Sequence, residues 1–318
     1  MHFQGTAKRL VLGLALLALP LTLIGCGKAT SSTSSSSSAG YAPKQLTVQF
    51  VPSTNAGTIE AKAKPLAGLL QKQLGIPVKV NVSTDGNTIV EALGAKRIDV
   101  GFLPPAAYIL AHKEYHSKVI LQAQRYGLKE PNDQFTHQLV DFFRAQILVR
   151  KDSGIKSIQD LKGKKIAVQD TISTAGWIYP AVELMEHGIN VNKDGIKTIQ
   201  VKGHDQGVLS VYNKDTDAAF VFQGARNIVK KDEKDIMQKV VPIYTTKGKI
   251  PNDTITVRGD MSAKWQKKIA TAFKTIAKSK EGHAIISTMY THEGYADSKD
   301  SNFDGARDYN KKVAALNK

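Results

Sequence analysis

The chain has 318 residues, with 44 lysines and arginines against 28 aspartates and glutamates, for a formal net charge of +16. The cations are scattered, as in KSIQDLKGKK, KKDEKD and KWQKK, and lack the interleaved aromatics of a base-stacking platform, which argues against nucleic acid as a partner. A solvated surface beside an anionic cell envelope, or the steering of small anions, fits that balance better.

The first 25 residues read as an export signal. Lys8 and Arg9 precede the apolar run LVLGLALLALPLTLI, which is shorter than the roughly 20 residues of a bilayer span and is broken by Pro20. The run ends in Leu23-Ile24-Gly25-Cys26, the pattern of a bacterial lipobox, in which Cys26 becomes the first mature residue and carries the lipid. Cys26 is the only cysteine, so no intramolecular disulfide is possible, and lipidation gives this thiol a purpose. Residues 26–43 are Ser-rich and offer too little apolar surface to offset the entropy of ordering, so they are expected to form a flexible tether to the membrane. Loss of Lys8 and Arg9 with the signal leaves a net charge of +14.

From Leu46 onward, strand-like and helix-like segments alternate, which predicts an α/β protein with largely parallel sheets. LTVQFVP reads as a strand, TIEAKAKPLAGLLQKQLG as a helix ending at Gly75, and PVKVNVS as a strand. NTIVEALGAKR is helical, IDVGFL a buried strand and PAAYILAHKEY a helix. A second round starts at AQILVRKDSG: a short helix at SIQDLKGKK, the strand KIAV, and the helix STAGWIYPAVELMEHG, closed by Gly188. The strand IKTIQVKG, the helix HDQGVLSVYNKD and the buried strand TDAAFVF follow. Pro180 removes a helical hydrogen bond, so a kink or an irregular first turn is expected before it. IPNDTITVRGDM supplies another strand, and the tail from Ser262 is helical. Two similar rounds imply two lobes with a cleft between them: residues 44–141 with 259–318, and residues 142–258. With the tail on the first lobe, the chain crosses between lobes twice, as a two-strand hinge.

Ser173 and Thr174 follow the KIAV strand and open a helix, where free backbone N–H groups and the helix dipole can hold an anion. A simple N-cap at Ser173 accounts for the same residue. His204 stands at a second strand-to-helix junction and Asp253 in a turn before a strand, both on the same rim. A carboxylate there would repel a fully ionised anion, so it must be neutralised or meet a proton carried by the ligand, as the P–OH of a phosphonate, phosphite or hydrogen phosphate would provide. A hydrolase using Ser173, His204 and an aspartate is the enzymatic alternative, but the sequence has no G-x-S-x-G elbow, and its eight histidines include no H-E-x-x-H. No metal or cofactor is implied.

Taken in order, VPST, KPLAGLLQKQLGIPVKVNVSTD, IDVGFLPPAAYILA, ILVRKDSGIKSIQDLKGKKIA, STAGWIYP, GHDQGVLSVYNKDTDAAFV and IPNDTITVR resemble the phosphate/phosphite/phosphonate-binding lipoproteins of ABC importers. The resemblance spans roughly Leu46 to Arg258 and implies the two-lobed class II periplasmic-binding-protein-like fold, closing over its ligand and delivering it to permease subunits, with no chemistry performed. It implies that Ser173, Thr174, His204 and Asp253 hold the phosphorus oxyanion, with the amide of Ala175, where the family has a second serine. Ser53, Thr54 and Asn87 fall on matching first-lobe turns. Where many members carry tyrosine, this chain has Gly86 and Phe143, and the acid used for an aminoalkylphosphonate's amine aligns near Gly224. An adhesion or signalling lipoprotein built on the same lobes is the remaining alternative.

Overall fold

The structure, a computed structural model, describes residues 40–51 and 56–317. The export signal, Cys26 and the tether up to residue 39, and Ser53 and Thr54, lie outside the described residues.

The first round folds as predicted in kind. Strand β1 (Leu46–Phe50) buries alternate residues, and helix α1 (Ala56–Leu74) ends where Gly75 takes a φ of +69°. Next come β2 (Val78–Val82), α2 (Gly86–Gly94), capped by Asp85 accepting from the Thr88 amide, and β3 (Val100–Leu103), buried throughout. Helix α3 (Pro105–Tyr115) starts with a proline in its first turn, where no N–H is needed. Then comes a hairpin absent from the sequence reading, β4 (Lys118–Lys129) and β5 (Gln134–Val140). The short β6 (Phe142–Phe143) leads out of it into β7 (Ala145–Arg150).

The second round comprises β8 (Lys165–Val168), α4 (Tyr179–Glu186), β9 (Lys197–Gln200), α5 (His204–Tyr212), β10 (Ala218–Phe222), α6 (Arg226–Val229), α7 (Ile236–Lys239) and β11 (Val240–Thr245). The chain returns through β12 (Ile250–Pro251) and β13 (Thr254–Val257), then adds α8 (Ala263–Lys278), α9 (Lys280–Tyr290), β14 (Gly294–Asp297) and α10 (Asp304–Ala314).

These strands make a seven-stranded sheet, ordered β14-β4-β13-β3-β1-β2 with β5 beside β4, and a five-stranded sheet, β11-β7-β10-β8-β9. Both are mixed, which corrects the expectation of largely parallel sheets. Only the β1–β2, β1–β3, β8–β9 and β8–β10 pairs are parallel. Strand β13 enters the first sheet on its way back from the second and runs against both β3 and β4, and β7 runs against β10 and β11.

Each sheet is covered on both faces. The first buries Val48, Phe50 and Phe102 against α1, α8 and α9, and Ile89, Leu93 and Tyr108 on the side of α2 and α3. The second buries Ile147, Ile166 and Phe220 with Ala181 and Leu184 of α4, and Val208 and Val211 of α5 against Ala219 and Val221. Between the two bodies, β6 and β12 pair antiparallel, Phe143 opposite Ile250. Asn252, fully buried, stitches these links: its amide bonds Asp141 O at 2.8 Å, and its side chain donates to the carbonyls of Ala123 and Val140.

Two segments do not respect a simple division of the chain. Helices α8 and α9 stay with the first sheet, but α10 lies against both α3 and α4; Phe303, just before it, joins the first body's core, and Leu316, just after it, joins the second's. Tyr309 stacks on Tyr179 at 3.7 Å, and its hydroxyl donates to Glu183, a buried carboxylate that also accepts from Tyr244 and the amides of Lys247 and Gly248. The β4–β5 hairpin hydrogen-bonds within the first sheet, but its tip is fixed to the second body. There Asp133 accepts from Arg226 Nη2 at 2.6 Å and from Gln146 Nε2 at 3.0 Å, and Arg226 also donates to the carbonyls of Pro131 and Val240. Among the described residues no helix is long and apolar enough to cross a membrane.

Candidate functional site

A cleft of about 900 Å³ lies between the bodies. Its polar end is built on helix starts. The segment after β8 begins with a π-turn, Thr174–Ile178, before α4 becomes regular at Tyr179. Pro180 is the cause: it has no N–H to offer the Gly176 carbonyl four residues back, and that carbonyl accepts from the Gln169 amide at 3.1 Å instead. Only glycine fits at 176, because a Cβ there would come within 2.1 Å of Gln169 Cγ. Gln169 also grips the second helix start: its side chain accepts from Gly203 N at 3.0 Å and donates to Gly203 O at 3.2 Å. Gly203, with φ of +104°, caps α5 and presents His204. One glutamine thus fixes the two starts side by side.

Ser173, Thr174, Ala175, His204, Asp253 and Phe143 all line this cleft. Ser173 Oγ accepts from the Gly176 amide at 3.2 Å, so it caps its own turn while its hydroxyl proton stays available to donate. Thr174 is buried, and its hydroxyl oxygen receives the Ala106 amide of α3 at 3.5 Å, bringing a third helix start, from the first body, into contact. Asn87 departs from expectation: it is exposed and does not line the cleft, whereas Gly86, one residue earlier, does. The Gly86 amide faces the Asp170 carboxyl, whose pKa burial raises against the opposing pull of the Ile172, Gly86 and Ser173 amides. A Cβ on Gly86 would approach Ile172 Cδ1 to 3.0 Å, so that side chain takes up the space that a larger residue would need.

Asp253 is not a bare carboxylate. Arg125 Nη2 lies 2.5 Å from its Oδ2, and His292 Nε2 lies 3.3 Å from the same oxygen. Burial pushes the Asp253 carboxyl up, but Arg125 and His292 outweigh it, and the group is held below its ordinary value. Of the two ways to accommodate this acid, neutralisation is the one the structure adopts. Arg125 lines the cleft, with its guanidinium 4.8 Å from the Phe143 ring centre and 5.8 Å from that of Phe222; its Nε is buried with no hydrogen-bond partner. His204 packs edge-on to Phe222 at 4.8 Å. Burial drives its pKa down to about 4, with Asp253 opposing and Arg125 assisting, so the imidazole is neutral near pH 7. Ser173 and His204 share no hydrogen bond among the described residues.

Arg125, His292 and Gln169 were missed by sequence reasoning. Arg125 sits on the unread strand β4, and its partner is 128 residues away. The one available signal was the strand-like run VILQAQ leading into it. Among the described residues no cluster of three or more His, Cys, Asp or Glu side chains could hold a metal ion.

A set of hydroxyls and amides at helix starts, a neutral imidazole and one arginine paired with an acid can hold a small oxyanion by hydrogen bonds. Comparison with known proteins points the same way. The phosphate-import protein PhnD of Mycolicibacterium smegmatis is 26% identical over 281 residues, covering 83% of this chain and 84% of that protein. A binding-protein component of an ABC phosphonate transporter from Pseudomonas aeruginosa superposes with a TM-score of 0.74 at 16% identity, over 86% of this chain and 88% of that one. PhnD1 of Prochlorococcus marinus, solved in complex with methylphosphonate, gives 0.73 at 15% identity, over 86% and 99%. These structures share the mixed α/β fold of periplasmic binding proteins. The family model for the ABC transporter phosphonate periplasmic substrate-binding proteins matches residues 48–303, and the chain belongs to that family.

Proposed function

We propose that this protein captures a small phosphorus oxyanion outside the cytoplasm and hands it to an ABC permease, held to the membrane by a lipid on Cys26. The observation that carries the reading is the convergence of Thr174, His204 and the Arg125–Asp253 pair on one cleft between two bodies joined by paired strands. The anion's oxygens take the Thr174 and Ala175 amides, the Ser173 and Thr174 hydroxyls and His204, while Arg125, its charge balanced by Asp253, adds guanidinium N–H donors. Because Arg125 already neutralises Asp253, a dianion can enter without bringing a P–OH proton to that carboxylate. Closure of the two bodies around β6 and β12 is driven by the ligand's tighter binding to the closed form.

Calorimetry of the lipid-free protein with phosphate, phosphite, methylphosphonate and 2-aminoethylphosphonate tests this. At least one should bind stoichiometrically, and Thr174→Val should weaken it by roughly tenfold or more, the cost of a lost bond to a charged group. Binding to none of the four, or wild-type affinity in Thr174→Val, overturns the assignment. Fractionation of cells expressing Cys26→Ser tests the anchor: the variant should leave the membrane fraction.

A further inference from the structure

The cleft is much larger than the anion it is proposed to hold. Its volume of about 900 Å³ is on the scale of pockets that enclose drug-sized molecules, and the groups suited to an oxyanion gather at one end. From Arg125 the wall continues along β4 to Leu128, roughly 10 Å further on at strand rise. A register shift between Tyr126 and Leu128 breaks the strict alternation, so Arg125 and Leu128 both face the cleft.

Beyond Arg125 and the Phe222 ring that packs on it, the lining of this second arm continues with Leu128, Phe135 and Ile228, beside the polar Asn227. Phe135, paired with Leu128 across the hairpin, is 49% exposed and lines the cleft, so its ring is open to a molecule seated there. The opposite wall is rigid: Asn227 donates to the Asp133 carbonyl, and Arg226 is locked to the hairpin tip. Gly224 adopts φ of +93°, so a side chain at the point where an acid would receive an amine would be strained. Lys231 and Asp232, both exposed, border the arm on its solvent side.

Resting on the phosphorus-oxyanion reading, we propose that the ligand carries an uncharged apolar substituent of about butyl to phenyl size, on a phosphonate or a phosphate monoester, seated between the β4–β5 hairpin and α6. The phosphoryl end binds at Arg125 and the helix starts, and the substituent displaces water from Leu128, Phe135 and Ile228.

The test is calorimetry of the wild-type protein with phosphate, methylphosphonate, n-butylphosphonate, phenylphosphonate, phenyl phosphate and 2-aminoethylphosphonate. Butyl- and phenylphosphonate should bind at least about tenfold more tightly than methylphosphonate, as burial of several apolar carbons requires. Comparison of phenylphosphonate with phenyl phosphate decides between a C–P and a C–O–P link. Phe135→Ser, a change at a half-exposed position, should narrow the phenyl-to-methyl ratio by at least about fivefold. Methylphosphonate, phosphate or 2-aminoethylphosphonate binding as tightly as the phenyl and butyl compounds overturns the inference while leaving the oxyanion reading intact. Binding of none of the six overturns both.

Discussion

Two aspartate–arginine pairs lie at opposite ends of the β4–β5 hairpin, Asp133 at its tip and Arg125 at its base, and their surroundings differ. Asp133 and Arg226 are 0% and 2% exposed, and their donors and acceptors are engaged by Gln146 and by the carbonyls of Pro131 and Val240. Asp253 and Arg125 are 18% and 12% exposed, border the cleft, and leave the arginine's Nε without a partner. The first pair is saturated by its own chain and can only hold structure. The second borders the cleft and lacks the ring of further partners that closes off the first. The lesson is that saturation, rather than the presence of an ion pair, separates structural charge from charge kept for a ligand.

Breaking the saturated pair should have the largest effect. Arg226→Met leaves Asp133 buried without its cation and should cost about 3–5 kcal/mol of stability, read as a lower midpoint in urea unfolding. A loss under about 1 kcal/mol, the size of an exposed pair, would mean that the two pairs do not differ in this way.

The cleft-side pair should reveal itself through acid. His204 beside it has a folded pKa of about 4, below the roughly 6.5 of an unfolded histidine. Between those values the unfolded chain binds a proton that the folded one refuses. Stability is therefore full above about pH 6.5 and falls as the pH drops toward 4, by roughly 3 kcal/mol at most. Burial also lowers His292 despite its bond to Asp253, and it contributes with the same sign. Asp253, held low, loses its contribution only as the pH falls through its own folded value, below this window. Melting curves from pH 4 to 7.5 should show a shallower acid limb in His204→Gln than in the wild type; equal slopes would place the acid sensitivity elsewhere.

Breaking the cleft-side pair should act on binding more than on folding. Arg125→Met removes the fixed charge and exposes the anion to Asp253, so affinity for methylphosphonate or phosphate should fall about 10- to 100-fold, as for a lost charged hydrogen bond of about 1.5–3 kcal/mol. Its unfolding midpoint should move less than that of Arg226→Met. Unchanged affinity would make this pair structural as well.

The parts of the fold that were legible in advance share a physical trait: their signal is local. The apolar runs of β3 and β10, the Gly75 stop, and the irregular turn that Pro180 imposes before α4 all follow from a few adjacent residues. The hairpin was not legible because β5 is mostly exposed and β4 turns from buried to half-buried along its length, which blurs a period-two pattern. Arg125 looked like any other scattered cation, since its meaning depends on Asp253, brought beside it by β13 pairing with β4. Gln169 offers no sequence cue, because its two bonds to Gly203 form only once β8 and β9 align. Asn87 was misplaced by a single step: at the start of α2 the chain turns about 100° per residue, so Gly86 faces the cleft and its neighbour faces solvent.

The hairpin tip has a mechanical consequence. Asp133 ties the tip to Arg226 and Asn227, while β4 itself is hydrogen-bonded into the first sheet, so the two walls of the arm are linked to each other and to both bodies. If the proposed substituent seats there, its contacts straddle an element shared by both bodies, so its binding is coupled to their relative position.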